Sequence, residues 1–587
     1  MNKNVFTSIK LSTILITAGI AAQAHASGYH FGTQSVSSQA TANSSAAEAA
    51  DPSTIFYNPA GLTKLEGTQA TINLNLVVPS IDSYDQKGYY PTDANGQPVT
   101  NGKGEAIKGS NSNSIDPGLT FAPHAYASHQ INDRVSLGLG VFVPFGSGTE
   151  YERDSVLRYN LNELGLQTIA IQPTVAFKLN DQHSFAVGLV AQNTSAELRQ
   201  YANFGPAVKG GMQTTLDATV EENTKGLGPN GGSLTTSQLI GMIPTIQNGI
   251  NAAEAGIKQL DAGIAQAEAA GATAQANALK AQKAAVEKQL AGAQTSLLGA
   301  KQAEATQNKI NSMGSGNGAA DGHAKVKGDD WGFGYNLAWM WDINDAVRVG
   351  VNYRSKIEHN LKGHAEWYLE DGVFNDPNLG GAIKQSIRDR GYAAKETANV
   401  KIVTPESLSM HGMWKVDPKW NLFADATWTR HSRFNQAILQ YENMKTVLPA
   451  ADGSKSNKTV LNPNWKDTWK FGVGASYQIT EPMQLRFGLA YDQSPVRSSE
   501  YRMSTLPDND RIWFSLGGKY DFNKHHSVNV AYSYIYIKDA DAHVNGYGTD
   551  KAAWGAGSSA SVSSKTNGSA KFDSNAHILG VQYTYRF

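Results

Sequence analysis

Residues Ser527–Lys538 read SVNVAYSYIYIK, in which apolar or aromatic side chains alternate with polar or small ones. The apolar or aromatic positions are Val528, Val530, Tyr532, Tyr534 and Tyr536. Because successive side chains of a β-strand point to opposite faces, this period of two predicts a strand with one oily face. The last residues repeat the pattern, with polar residues separating Val581, Tyr583, Tyr585 and Phe587.

The same alternation recurs along most of the chain, beginning at Gln69–Pro79 (QATINLNLVVP), and gives 14 predicted strands. Tight turns such as Ile131-Asn132-Asp133 alternate with long polar loops such as Ser80–Pro117. An even number of antiparallel strands, with short turns at one end and long loops at the other, is typical of bacterial outer-membrane barrels. Tryptophan pairs near strand ends predict aromatic girdles: Trp339/Trp341, Trp414/Trp420 and Trp465/Trp469.

We therefore predict an all-β fold, a 14-stranded antiparallel transmembrane β-barrel over residues 66–587. A soluble β-sandwich is the alternative. It is disfavoured because about half of the predicted strands exceed the usual ~5–6 residues. The barrel class places the protein in the outer membrane of a Gram-negative bacterium, in contact with outer-membrane lipids.

The first residues predict export. Lys3 and Lys10 form a basic region, Leu11–Ala22 is apolar, and Ala24-His25-Ala26 supplies a small-x-small cleavage pattern. We therefore predict a signal peptide over residues 1–26 and a mature chain from Ser27. A membrane anchor is disfavoured, because a spanning helix needs about 20 apolar residues.

Two segments depart from the strand pattern. Asp51–Leu62 (DPSTIFYNPAGL) fits neither strand nor helix, and it follows a small, polar stretch. We predict that residues 27–65 form a plug, or hatch, inside the barrel.

Residues 243–310 are rich in Ala, Gln and Lys and carry apolar residues at spacings of three, four and seven. With Gly271 near the middle, they predict two antiparallel helices inserted in an extracellular loop. This insertion either shields the surface or binds a partner, as an adhesive segment would.

Several function classes find no support in the sequence. The 50 basic and 51 acidic residues give no field that would attract nucleic acid. The absence of cysteine excludes disulfides and thiolate metal sites. Gly138-x-Gly140 lies inside a predicted strand, so it is not a nucleotide loop. We found no nucleophile elbow and no paired histidines at metal-ligand spacing, and we predict no catalytic residue, metal or cofactor: the protein is not an enzyme.

Six motifs occur in the order in which one family carries them. They are Asn58-Pro59-Ala60, Trp331-Gly332-Phe333-Gly334, Asp417-Pro418-Lys419-Trp420, Trp465-Lys466-Asp467, Tyr491–Val496 (YDQSPV) and Pro507–Arg511 (PDNDR). On these motifs the chain resembles the FadL-type outer-membrane transporters of long-chain fatty acids, which include TodX-like channels for aromatic hydrocarbons. The resemblance covers nearly the whole mature chain. It lapses at residues 243–310, where family members usually have a shorter loop.

The resemblance implies a barrel closed by an N-terminal hatch, with substrate leaving through a gap in the wall at a kinked third strand. It assigns Asn58, Pro59 and Ala60 to the hatch, held near that kink. Pro144, Phe145 and Gly146 occupy the third strand, where proline cannot donate to a ladder and glycine permits a kink. An ordinary Asn-Pro turn, and a strand that simply ends at Val143, are the alternatives. We expect Asp51–Leu62 to face the kink.

Two basic residues lie close to positions where the family places basic pocket residues. Arg199 and Lys458 are therefore candidates for binding a substrate carboxylate, with a surface cation as the alternative for each. Asp510 and Arg511 are expected to form a charge pair inside the barrel.

The function that the sequence favours is passive uptake of hydrophobic molecules, with long-chain fatty acids as the first substrate class, by a monomeric barrel with lateral exit. Uptake of aromatic hydrocarbons or alkanes by the same route is the alternative substrate class. A general porin or a surface adhesin is the alternative in kind.

Overall fold

The computed structural model describes residues 32–89, 106–115, 120–312, 318–377, 379–446, 455–544 and 566–587. The predicted signal peptide (1–26) and the first residues of the predicted plug lie outside this described part. The chain divides into two compact units. One contains residues 1–203, 321–371 and 387–587, and the other contains residues 204–320 and 372–386.

The first unit is a closed antiparallel β-barrel of 14 strands, as predicted. Its strand segments are β1 (Thr68–Tyr89), β2 (Asn113–Ile115), β3 (Thr120–Gln130), β4 (Val135–Phe142), β5 (Gly146–Glu150), β6 (Glu163–Lys178), β7 (His183–Asn203), β8 (Asp321–Asp342), β9 (Val347–Arg354), β10 (Ile357–Tyr368), β11 (Lys395–Thr404), β12 (Ser407–Lys415), β13 (Trp420–Thr429), β14 (Ala437–Thr446), β15 (Lys455–Leu461), β16 (Thr468–Thr480), β17 (Met483–Asp492), β18 (Arg511–Asp521), β19 (His526–Val544) and β20 (Asn567–Arg586). The segments outnumber the strands because several strands are interrupted, as β4 and β5 are. The barrel closes because β1 pairs with β3 on one side and β20 on the other.

The barrel wall exposes apolar side chains and buries polar ones, which is the reverse of a soluble protein. On β1, Ile72 and Leu74 are 63% and 44% exposed, whereas Asn73 and Asn75 are fully buried. Apolar side chains therefore face outward, where lipid would lie, and amide side chains face the interior. Along β1 the backbone pairs with β3 and β20 over most of its length, as the absence of hydrogen-bond partners in hydrocarbon requires.

The aromatic residues near the strand ends fall into two groups. Trp339 and Trp341 stack on each other at 6.1 Å, and Trp414 is 52% exposed, as expected of a girdle. The prediction for Trp465 is wrong, because its side chain is buried in a cluster with Phe145. Trp465 lies in the loop before β16, where it packs inward rather than toward lipid.

Residues 32–65, here called the plug, lie inside the barrel. They form two short helices (Val36–Gln39 and Thr54–Tyr57) and a 3-10 helix (Pro59–Lys64). Their backbone bonds directly to wall side chains: the Val36 N–H donates to Asn73 and Gln582, each at 3.1 Å. An ion pair also holds the plug to the wall: Nη1 of Arg486 donates to Oε1 of Glu48, a plug residue, at 3.1 Å. At Gly488 of β17 the wall approaches so closely that a Cβ would lie 2.1 Å from the Thr41 carbonyl carbon.

The second unit is helical. Its helices span Gly205–Asn223, Thr236–Gly241, Ile243–Ala269 and Thr273–Ser312, and Gly271 forms the turn between the last two at φ +71°. Lys280 and Lys283 of the last helix pair with Glu268 and Asp261 of the preceding one, as two antiparallel helices require. The predicted pair is therefore present. The helix Gly205–Asn223 was not predicted, because its sequence carries little apolar periodicity.

Shorter helical segments complete the described chain: 3-10 helices at Pro229–Gly231, Gly372–Asn375 and His431–Arg433, and an α-helix at Gly380–Asp389. Among the described residues, no helix combines the length and the apolar composition needed to cross a membrane.

Candidate transport site at the break in the third strand

The third barrel strand is interrupted between β4 and β5, at Val143–Phe145. Segment β4 pairs with β3 and with β6, whereas β5 pairs in the described chain with β6 alone. The ladder to β3 ends at Val141, opposite Ala125, although β3 itself begins at Thr120. Because the strand resumes at Gly146, Pro144 lies in a kink within the strand and not at the start of a loop. Pro144, Phe145 and Gly146 are all buried.

Side chains replace the missing ladder bonds at this break. The Val143 N–H donates to Nδ1 of His124 at 3.3 Å, and the Val143 carbonyl accepts from Nε2 of Gln34, a plug residue, at 2.7 Å. On the other side, Thr168 of β6 accepts from the Phe145 N–H through Oγ1 at 2.9 Å and donates its own N–H to the Phe145 carbonyl at 3.1 Å. The backbone groups of Val143 and Phe145 are therefore satisfied at the break, three of them by side chains and one by a backbone bond to β6.

A cleft of about 490 Å³, including its solvent-open part, adjoins the break. Its apolar lining is Phe56, Phe142, Pro144, Phe145, Val190, Tyr335, Ile357 and Pro405. Phe56 belongs to the plug, and its ring meets that of Phe142 edge to face at 5.1 Å. The cleft is thus walled jointly by the plug, the kinked strand and the neighbouring β-strands.

Arg354, at the end of β9, is the charged side chain in the described lining of this cleft. Its Nη2 donates to Oε1 of Gln172 at 2.7 Å, and its guanidinium carbon lies 4.2 Å from the ring centre of Phe56 and 5.1 Å from that of Phe142. Within the described chain no carboxylate lies in ion-pair range of this guanidinium. The cleft therefore combines aromatic walls with a cation that has no anionic partner among the described residues.

Among the predicted hatch residues, Asn58 bonds to wall strands other than the interrupted third strand. Asn58 donates through Nδ2 to the carbonyl of Trp339 at 3.0 Å and contacts Nε2 of His411 at 2.8 Å, which places it against β8 and β12. Pro59 and Ala60 follow it as the start of the buried 3-10 helix. None of the described hydrogen bonds of Asn58 reaches Val143–Phe145, whereas Ala60 packs in one buried cluster with Phe142 at the end of β4. The gating role of these residues stays a prediction. The stretch Asp51–Leu62 reaches the cleft through Phe56.

The two predicted carboxylate ligands lie outside the described lining of the cleft. Arg199 is only 5% exposed and already pairs with Glu150 and Glu163, each at 3.0 Å. Along β7 the inward-facing residues, such as Ser184, Gln192 and Thr194, have even numbers, and Gln200 follows this alternation. Arg199 departs from it, although it is buried as well. Lys458 is exposed on β15, opposite the exposed Gln440. Both predictions miss the cleft, Arg199 because its charge is already neutralised and Lys458 because it faces outward.

Arg511 is buried as expected but has different partners. It pairs with Asp508, and its Nη1 lies 3.8 Å from Asp492. Asp510 instead accepts from the Tyr491 hydroxyl at 2.8 Å and from the Ser494 N–H at 2.9 Å. The predicted Asp510–Arg511 pair is therefore replaced by pairs with Asp508 and Asp492.

Comparison with known proteins identifies the family. The family model described as "Outer membrane protein transport protein (OMPP1/FadL/TodX)" matches residues 17–243 and 267–587. This chain belongs to the OMPP1/FadL/TodX family. The unmatched residues, 244–266, lie within the helical insertion, where the sequence resemblance also lapses.

Individual FadL/TodX relatives agree with this assignment. A putative outer membrane protein of Neisseria meningitidis serogroup B is 45% identical over 99% of both chains. A long-chain fatty acid transport protein of Escherichia coli O6:H1 is 22% identical over 91% of this chain and 92% of its own length. Among solved structures, a Pseudomonas aeruginosa FadL homologue matches 95% of this chain and 100% of its own at 19% identity and a TM-score of 0.65. The Ralstonia pickettii toluene transporter TbuX matches 94% and 98% at 15% identity and a TM-score of 0.51.

The family confirms the predicted class and location. FadL/TodX proteins are outer-membrane transport channels and not enzymes. The chain is accordingly a multi-pass β-barrel of the Gram-negative outer membrane that transports hydrophobic compounds.

Proposed function

We propose that this transporter takes up long-chain fatty acids, as a monomer and by passive diffusion, through the cleft and out through the break in the third strand. The observation that carries the proposal is Arg354, a cation without a described carboxylate partner in an aromatic and aliphatic cleft beside the break. A fatty acid offers both groups that such a cleft lacks: an anion for the guanidinium and an apolar tail for its walls.

The energetics favour such a ligand. An unpaired charge in an apolar site is costly, and a carboxylate forms charge-assisted and often bidentate bonds with a guanidinium. Each methylene that leaves water contributes about 0.8 kcal/mol. The name of the Escherichia coli relative, a long-chain fatty acid transport protein, supports the same substrate class.

The break supports lateral exit over passage along the barrel axis. The plug fills the interior with buried residues, so a general diffusion pore is disfavoured. At Val143 the wall is completed by side chains of His124 and Gln34 and not by backbone bonds to β3. Moving these side chains opens the wall without breaking a ladder, at far lower cost than separating two paired strands.

An aromatic hydrocarbon is the second candidate. The rings of Phe56, Phe142 and Tyr335 would suit it, and the relative from Ralstonia pickettii is named a toluene transporter. A neutral hydrocarbon gains little from a guanidinium, however, so Arg354 distinguishes the two substrates.

The test is uptake of labelled oleate and labelled toluene by cells that carry this transporter in place of their own. Arg354→Gln should reduce oleate uptake about tenfold or more, because one charge-assisted interaction is lost, and should leave toluene uptake unchanged. Arg134→Gln, an exposed residue of the turn between β3 and β4, is the matched control. Unchanged oleate uptake by Arg354→Gln, with normal amounts of folded barrel, would refute the proposal, and wild-type uptake of toluene but not oleate would favour the second candidate.

A further inference from the structure

The plug residue Asn58 has a hydrogen-bonding arrangement that fixes its orientation. Its Oδ1 accepts the N–H of Ala60 at 3.0 Å, and its Nδ2 donates to the Trp339 carbonyl at 3.0 Å. Nδ2 is therefore the atom that faces Nε2 of His411, at 2.8 Å. Because an amide nitrogen only donates, Nε2 of His411 must be an unprotonated acceptor.

The other nitrogen of the His411 ring continues the arrangement into the wall. Nδ1 lies 3.1 Å from Oγ of Ser409, and this hydroxyl donates to Oδ2 of Asp425 at 2.7 Å. Since the Ser409 proton is directed to Asp425, the Ser409 oxygen accepts from the ring N–H. The bonds therefore run in one direction, from Asn58 through His411 and Ser409 to the Asp425 carboxylate.

The strand pairing builds this chain of bonds. His411 lies opposite Asp425 of β13 on one side and opposite Gly350 of β9 on the other. A Cβ at position 350 would lie 2.5 Å from Nε2 of His411 and 2.6 Å from Nδ2 of Asn58. The glycine therefore leaves the space in which the plug amide meets the ring, and the His411 side chain is fully buried there.

We propose that His411 is a positioning residue for the plug, and that Ser409 and Asp425 hold its ring in the one tautomer that can accept from Asn58. In this arrangement Ser409 acts on the plug without touching it. If the ring lost its Nδ1 acceptor, the tautomer that carries its proton on Nε2 would become available, and its N–H would oppose the Asn58 amide. The inference concerns the closed plug alone and does not rest on the substrate proposed above.

The test is hydrogen exchange of the purified full-length barrel, read by mass spectrometry on the plug segment 54–64 without substrate. Its amides include those of Asn58 and Gly61, which donate to Thr54 and Asn58 within the plug. Ser409→Ala and His411→Leu should each reduce the protection of this segment about fivefold or more, as expected for one lost buried hydrogen bond. The plug segment 36–39 serves as an internal reference.

Conservative variants separate positioning from packing. His411→Gln, which still offers an acceptor, and Ser409→Thr, which keeps the hydroxyl, should stay within about twofold of wild type, since each retains its bond. Ser515→Ala removes a wall serine bonded only to Ser533 in the described chain, and should change nothing. Wild-type protection in Ser409→Ala would overturn the proposal, and so would equal losses in His411→Gln and His411→Leu. If a His411 variant does not assemble, Ser409→Ala against Ser409→Thr decides the question alone.

Discussion

Gln34→Leu should loosen the break in the third strand without displacing the plug. The substitution removes the bond from Nε2 to the Val143 carbonyl, which is 2.7 Å long and fully buried. The backbone of residue 34 keeps its own bonds, because its N–H donates to the Tyr57 hydroxyl at 2.8 Å and its carbonyl accepts from the Tyr126 hydroxyl at 2.9 Å. The perturbation is therefore confined to the hydrogen bond that closes the break at Val143.

The size of the effect follows from the carbonyl left behind. A buried acceptor that loses its partner costs about 1–3 kcal/mol. Since about 1.4 kcal/mol is a factor of ten, the open form of the break should become about 5-fold to about 150-fold more populated. A shift of this size should be visible both as faster amide exchange over residues 143–148 and as faster uptake.

The assay compares Gln34→Leu with Gln39→Leu in hydrogen exchange and in oleate uptake. Gln39 is a matched control, because it is also a buried plug glutamine that donates to a wall carbonyl, that of Ile578 at 3.0 Å, but on β20. Gln34→Leu should speed exchange at the break and raise the uptake rate, whereas Gln39→Leu should do neither. If both variants raise uptake equally, the passage depends on the plug as a whole, and the reasoning that locates the exit at Val143 fails.

Three further predictions concern stability and the insertion. Lys445 and Glu396 form a fully buried pair at 2.6 Å, so Lys445→Met alone should cost about 3–5 kcal/mol in unfolding, whereas adding Glu396→Leu should restore most of it; urea denaturation measures both. Gly488→Ala should push the plug from the wall at Thr41, and protease should then cleave the plug faster than in wild type while the barrel remains intact. Deletion of residues 243–310, about half of a separate compact unit, should leave oleate uptake unchanged, and loss of surface attachment by the cells would assign that unit an adhesive role.

The barrel could be predicted because its determinants are local. Each strand repeats the choice seen at Ile72 and Asn73, one side chain outward and the next inward, and the period of two is readable without knowing any neighbour. The kink was readable for the same reason, since Pro144 cannot donate to a ladder wherever it lies. The orientation of Trp465 was predicted wrongly because it lies in a loop, where no strand period fixes the direction of a side chain.

The candidate site could be predicted only in part, because its contacts join residues distant in sequence. Gln34 meets Val143, and Asn58 meets His411, through a plug path that no local pattern encodes. At Arg199 the alternation of β7 is lost, since both Arg199 and Gln200 are buried, and the carboxylates that pair with Arg199 are distant from it in sequence. Arg354 ends β9 immediately before a strand interruption, and that irregularity was the signal that could have drawn attention to it.

The polar interior of the barrel binds the plug as a receptor binds a ligand, except that the two are covalently linked. Asn73 and Gln582 bind the plug backbone through amide groups that water could equally satisfy, whereas Ile55 and Leu62 pack in an apolar cluster with the wall. Release of the plug would therefore exchange hydrogen bonds but expose apolar surface. The short connection at Leu65–Gly67 holds the plug at a millimolar-scale effective concentration. A plug segment that leaves the wall should therefore rebind quickly, because it stays covalently attached beside its binding site. We therefore expect any opening of the plug to be brief, so that the barrel stays closed to solutes between transport events.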